Sequence, residues 1–351
     1  MSTIEATLDD ILAHPLRAAA GCDAAVGYVG LDVPADLLGV PGVVSCHLPW
    51  RRQVDSPRAA QWLESSFPGW AVSMVEDWAN GTFDCFEHVI FSRGEDAAHR
   101  LYYYLCELQR RGQVGGPRPV VFDIAKIPRS SSRAHTEAAL RKLMRQVGVK
   151  EEHLADGIQR TNELRALMMR LQQQRKGPGR LYEKLARASL FADVRTIVAS
   201  WPQEFAQQAR GTVALVGSAP ADESLHRAVE GVGWTVVEEF YDRSLLRLGE
   251  PVDPTSGDAV AAVVGQWLAH QSGKRAFKDT AGQIASRLRA RQVGAAVLWY
   301  AREDEALAWR VPAQRAALAA AEIPTLVMTA RRWDMGDGVA AEIAGFLRGL
   351  G

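Results

Sequence analysis

Two pairs of carboxylates carry the chemistry that this sequence offers most openly. Glu95 and Asp96 follow the apolar run 88–91 (HVIF), which has the character of a buried strand. Ser92, Arg93 and Gly94 break the run, and the acidic pair then opens a helix with Leu101, Tyr104, Leu105 and Leu108 on one face. Glu303 and Asp304 stand at the end of a second such run, in WYAREDE (299–305). The carboxyl end of a strand that turns into a helix is where α/β proteins hold ligands. Carboxylates sharing one dry cleft can divide acid and base roles once their environments separate their pKa values, or hold a hard cation through oxygen. The same residues also serve as ordinary acids at helix N-termini, where they favour the helix dipole. Spacing alone leaves both readings open.

Other candidates are weaker. Gly217 and Ser218 lie between a strand and a helix, where free backbone amides can hold a phosphate. No G-x-G-x-x-G or Walker pattern accompanies them, and Asp222 and Glu223 in the first helical turn oppose an anion, so a plain tight turn explains them with less assumption. The eight histidines lack metal-ligand spacing; His88 and His99 are the nearest pair. No metal site is expected. Cys22, Cys46, Cys85 and Cys106 form no CxxC pair and read as buried thiols without bridges.

The elements that must position these groups alternate. Strand-like runs at 24–31, 42–48, 88–91 and 119–124 are separated by helical stretches at 34–38, 58–66 and 70–79 and by the helix after Glu95. Helical patterns then dominate at 134–146, 151–174 and 181–199. The rhythm resumes with strands at 212–216, 234–239, 295–300 and 325–329 and helices at 224–232, 258–271, 278–291, 306–320 and 339–350. Strands alternating with helices argue for parallel sheets covered on both faces. The expected architecture is α/β: two Rossmann/flavodoxin-like parallel-sheet domains, 1–130 with a helical arm and 211–351, joined by a helical segment, 131–210. The order of strands is not readable from the pattern.

The 351 residues suffice for two or three domains. At 47% hydrophobic and 23% charged, with Lys+Arg at 41 and Asp+Glu at 41, nothing advertises nucleic acid or an anionic membrane surface. The opening MSTIEATLDDILAHPL is not a signal peptide, and no apolar run approaches the roughly 20 residues of a membrane helix. A cytoplasmic location is expected.

Several segments, taken in order, resemble a known family. They are GYVGLDVPADL (27–37), similar to a G-x-x-x-x-x-x-P-x-E-L motif, the helix RLYYYLCEL (100–108), VVFDIAKIPRSSSRAH, and NELR (162–165). VALVGSAPADESLHRAVEGVGWTVVEEF, FKDTAGQIASRLRARQVGAAVLWYA and AEIPTLVM follow. This succession resembles subunits of the 2-hydroxyacyl-CoA dehydratase and benzoyl-CoA reductase family, the 2-hydroxyglutaryl-CoA dehydratase D-component among them. The resemblance covers nearly the whole chain and rests on the order of the pieces.

The resemblance implies two α/β domains with a helical segment, a heterodimer, and a [4Fe–4S] cluster held by three cysteines in the cleft between domains. An ATP-driven activator would deliver the electron that forms a ketyl radical of the acyl-CoA. A cluster of this kind requires thiolates. The resemblance places the three cysteines near Pro68, near Glu95 or Asp96, and near Glu303 or Asp304, and none of the four cysteines present occupies these places. Gly30 and Leu31 stand where hydroxyl residues often precede the P-x-E-L motif. Proline and carboxylates in place of soft ligands cannot hold the usual cluster, so no cofactor is expected in this chain.

Three readings follow. The first is a cluster-deficient subunit that pairs with a cluster-bearing homologue and shapes an acyl-CoA pocket. The second is an iron-independent enzyme, lyase- or hydratase-like, using Glu95, Asp96, Glu303 and Asp304 in the same cleft. The third is a non-catalytic interaction protein that keeps only the fold, since fold does not dictate function.

Overall fold

A computed structural model describes residues 3–22, 24–52, 55–127, 129–202, 204–205, 209–270 and 280–350. It contains two four-stranded, all-parallel sheets. The first is built from β1 (Ala25–Val29), β2 (Ser45–His47), β3 (Phe86–Ser92) and β4 (Arg118–Phe122), in the order β2-β1-β3-β4. The second, from β5 (Gly211–Gly217), β6 (Trp234–Phe240), β7 (Ala295–Ala301) and β8 (Thr325–Arg331), has the equivalent order β6-β5-β7-β8. These are two Rossmann/flavodoxin-like domains, as the alternation of runs implies. No described helix is long and apolar enough to cross a membrane.

The strands are apolar without alternation because both faces of each sheet are covered. In β1, Ala25 and Val29 enter one core and Val26 and Tyr28 another. In β7, Val297 and Trp299 face one side, and Ala296, Leu298 and Tyr300 the other.

Chain order and packing part company at the helix Ala259–His270. It lies between β6 and β7 in sequence, yet Val260, Val263 and Val264 pack into the core of the first sheet beside Val26, Ile90 and Phe122. The connection from β6 to β7 therefore leaves its own domain, covers the other sheet and returns.

Three expected helices are interrupted. The pattern at 181–199 gives Gly179–Ala188 and Arg195–Ala199, because Leu190 and Phe191 tuck into the first domain's core and the Leu190 carbonyl accepts the His47 amide at 2.9 Å. The pattern at 306–320 splits into Glu305–Ala308 and Val311–Ala320. Pro312 sits in the first turn of the latter, where its missing N–H costs nothing. The stretch 58–66 keeps only Ala59–Trp62; Leu63 is extended, and the Glu76 carboxylate accepts the amides of Arg58 and Ala59. In the helix expected at 278–291, the first two positions lie outside the described residues and Ala281–Ala290 is helical.

The helical segment is fastened by buried charge. Arg165, in the helix Leu154–Gln173, makes a bidentate pair with Asp36 (2.7 and 2.8 Å), each side chain 2% exposed, and its Nε donates to the Leu248 carbonyl at 3.0 Å. Asn162, one turn earlier, donates to the Val252 carbonyl and accepts the Val252 amide. On the far side, Arg175 pairs with Glu239 of β6 at 2.7 Å, and His226 contacts the same carboxylate at 2.8 Å. Burial raises the Glu239 pKa, but the Arg175 charge and the His226 hydrogen bond outweigh it and hold the carboxyl well below its usual range.

Truncating one member of a buried pair leaves the other charge uncompensated and costs about 3–5 kcal/mol. Arg165→Met is expected to lower stability by about that much, read as a shift of the denaturant midpoint. The double variant Asp36→Leu/Arg165→Met is expected to recover a large part of the loss. A single variant as stable as the parent would contradict this account.

Candidate functional site

The carboxyl ends of the two sheets face each other, and the loops leaving them build a narrow cavity. Gly30 and Leu31 come from the end of β1, His47 and Trp50 from β2, and Glu95 from β3. From the second sheet come Ala219 after β5, Arg243 after β6, Glu303 and Asp304 after β7, and Trp333 after β8. Pro68 and Trp70 close the wall at the start of the helix Gly69–Ala79. In each sheet the chain reverses its winding between the first and third strands, the place where open α/β sheets leave a crevice for ligands.

Glycine opens the crevice at that point in both domains. Gly30 has φ +86°, and a Cβ there would lie 2.9 Å from Cβ of Ser92. Gly217 has φ +125°, and a side chain there would strike the Trp299 carbonyl. Both positions need left-handed backbone and close approach, which only glycine supplies cheaply. Two serines then fix the turns: Ser92 Oγ accepts the Gly94 amide at 3.0 Å, and Ser218 Oγ accepts the Ala301 amide at 2.9 Å.

Of the residues singled out in the sequence, Pro68, Glu95, Glu303 and Asp304 line this one cavity. Asp304 is buried, Glu95 half-buried and Glu303 exposed. Asp96 does not line it: its side chain is exposed in the first turn of the helix Asp96–Arg110 and lies 4.0 Å from Arg100. Gly217 lines a neighbouring cavity instead, and Ser218 serves its own turn. His88 and His99 belong to neither wall.

Aromatic side chains narrow the space. Trp50 donates its indole N–H to the Ala221 carbonyl at 2.9 Å, and the Arg243 guanidinium lies over its ring, 4.8 Å from the centroid. Arg243 is itself held by the Pro220 carbonyl and Glu183. His47 meets Trp50 edge-on at 5.5 Å between centroids. About 80 Å³ is left, room for a few waters rather than the roughly 300–1,000 Å³ of a small-molecule pocket. A larger cavity of about 780 Å³ adjoins it at the crevice of the second domain, sharing Ala219, Asp242 and Asp304 as walls.

The residues present do not fit an iron–sulfur cluster. No thiol lines the narrow cavity, and such clusters are held by thiolates. Cys46 is fully buried, and burial pushes its thiol up to about 12. Burial also raises Cys85 and Cys106. Among the described residues, no group of three or more His, Cys, Asp or Glu side chains is arranged to hold a metal ion.

No protein-family model matches this chain, and no curated protein does.

Several wall residues were invisible to motif reading. Trp50, Arg243 and Trp333 carry no signature; each simply follows the end of a strand, which is the one signal that could have found them. Asp32 and Lys126 form a buried pair at 2.9 Å just past β1 and β4. Gly94 is needed beside it, because any side chain there would meet the Asp32 carboxylate.

His47 gives the cavity a measurable pH response. Burial lowers its pKa from 6.5 to about 4, while Nδ1 stays hydrogen-bonded to the Leu48 carbonyl at 2.7 Å. The folded state holds this ring neutral where the unfolded chain would protonate it. The stabilisation is therefore complete above pH 6.5 and declines as the pH falls toward 4, by about 3 kcal/mol over the window. His47→Gln is expected to flatten that part of the stability–pH curve relative to the parent. Parallel curves for the two proteins would refute the assignment.

Proposed function

We propose that this chain is a cluster-deficient subunit of an acyl-CoA enzyme related to the 2-hydroxyacyl-CoA dehydratases and benzoyl-CoA reductases. In this reading it works in the cytoplasm, paired with a homologous subunit that carries the [4Fe–4S] cluster. One observation carries the proposal. Three stretches far apart in sequence, each matched by the resemblance to a cluster-ligating position, supply Pro68, Glu95 and the pair Glu303 and Asp304 to a single cavity between the domains.

Two further observations support it. The segments behind the resemblance interlock: Asp36, from the P-x-x-L stretch, is the buried partner of Arg165, from NELR. The space where a cluster would sit is reduced to about 80 Å³ and walled by tryptophans, consistent with a site that no longer carries one. The chain's part would then be to complete the fold of the pair and shape the wall of the acyl-CoA pocket, while the redox step belongs to the partner.

A second reading, the iron-independent enzyme, draws support from Glu95 and Asp304 lining the same cavity, where two carboxylates could divide acid and base roles. It predicts turnover by the chain alone, lost in Glu95→Gln and Asp304→Asn.

The deciding experiment expresses the chain without oxygen, alone and together with a cysteine-complete homologous subunit. Alone, it is expected to carry no iron or acid-labile sulfide above background. Together, the two are expected to purify as a one-to-one complex with a single [4Fe–4S] cluster on the partner. About four irons on the isolated chain, or failure to pair with any such homologue, would overturn the proposal.

A further inference from the structure

A third cavity, of about 380 Å³, lies against the first domain, between the ends of β1 and β2 and the helices Leu154–Gln173 and Ala259–His270. Its volume falls within the range of small-molecule pockets, roughly 300–1,000 Å³. Leu31, Val33, Leu164, Phe191 and Trp267 give it an apolar side beside its polar groups.

Four arginines line it, and three are matched by carboxylates. Arg165 is paired with Asp36, Arg160 with Asp193 at 3.2 Å, and Arg195 with Glu163 at 2.7 Å. Arg247 is different. Its Nη2 donates to Ser189, at 2.9 Å to Oγ and 3.3 Å to the carbonyl oxygen, and among the described residues no carboxylate forms an ion pair with it. Burial lowers its pKa; Tyr28 opposes this, and the neighbouring Arg165 charge acts with burial. An arginine does not give up its proton in a protein, so the charge persists. Arg247 is half-buried in the wall of this cavity, and a guanidinium partly withdrawn from water without a counter-charge is favoured by an anion that joins it.

We propose that this cavity is a binding site for a small organic acid, its carboxylate on the Arg247 guanidinium and its apolar body along Leu164, Phe191 and Trp267. The carboxylate accepts from the guanidinium edge not engaged by Ser189, in the planar geometry that suits arginine and carboxylate. One unmatched cation calls for one negative charge, and the apolar wall calls for a hydrocarbon body. Inorganic phosphate, which has none, is therefore a poor occupant. The inference rests on Arg247 and the cavity alone and holds whatever the narrow cavity between the sheets does.

The test is calorimetric titration of the full-length protein with hexanoate, its neutral isostere hexanamide, and inorganic phosphate. Hexanoate is expected to bind at least about tenfold tighter than hexanamide, because a hydrogen-bonded charge is lost with the amide. Phosphate is expected to bind more weakly than hexanoate. In Arg247→Met the preference for hexanoate over hexanamide is expected to vanish. On the unmodified protein, hexanoate is expected to protect Arg247 from phenylglyoxal, read by mass spectrometry, a measurement that needs no variant to fold. Equal affinity for acid and amide, phosphate binding as tightly as hexanoate, or modification of Arg247 unaffected by hexanoate would each overturn the proposal. None of these results bears on iron content or subunit pairing.

Discussion

The guanidinium of Arg165 touches three separate parts of the chain. It grips Asp36 beyond β1, donates to Asn162 Oδ1 on its own helix, and donates to the Leu248 carbonyl on the path that leaves β6. Both members of the ion pair are 2% exposed, so the geometry is enforced by the cost of leaving either charge unmatched. From this point the first sheet, the helical segment and the departing chain of the second domain acquire fixed positions. The Arg175–Glu239 pair does the same against β6. The cleft between the sheets depends on these anchors together with the contacts its own walls make.

That cleft combines order with reduction. Loops from seven of the eight strand ends reach it or its neighbour, as expected where two doubly wound sheets present their carboxyl ends to each other. Tryptophan then takes up much of the room. Trp50 and Trp70 belong to the first domain by sequence yet pack against the core of the second, so the residues that shrink the cavity also cement the joint between domains. Packing and site geometry are here the same contacts, and a change that enlarged the cavity would loosen the joint.

Much of the architecture was legible in the sequence because its cause is local. The β-branched and apolar runs that became β1, β5 and β7 are buried on both faces, and uninterrupted hydrophobicity records that directly. Gly30, Gly217 and Gly94 mark turns whose steric reasons are local too. What escaped was long-range. Leu190 and Phe191 look like helix residues until a distant core needs them. Trp50, Arg243 and Trp333 become cavity walls only once two sheets meet. Asp96 and Glu95 are adjacent and chemically alike, yet one points into the cavity wall and the other into solvent; their relation to a helix start, not their type, separates them. Arg247 is unremarkable as a letter and unusual only for what does not stand beside it.

The helix Ala259–His270 bears on how the chain reaches this state. Because it covers the first sheet while lying between two strands of the second, the first domain's core closes only after roughly three-quarters of the polypeptide exists. During synthesis, residues such as Val26, Ile90 and Phe122 wait for a segment more than a hundred residues downstream. The first domain's core is incomplete without that segment. Pairings of such long sequence separation make folding slow and leave sheet surface exposed in the interim.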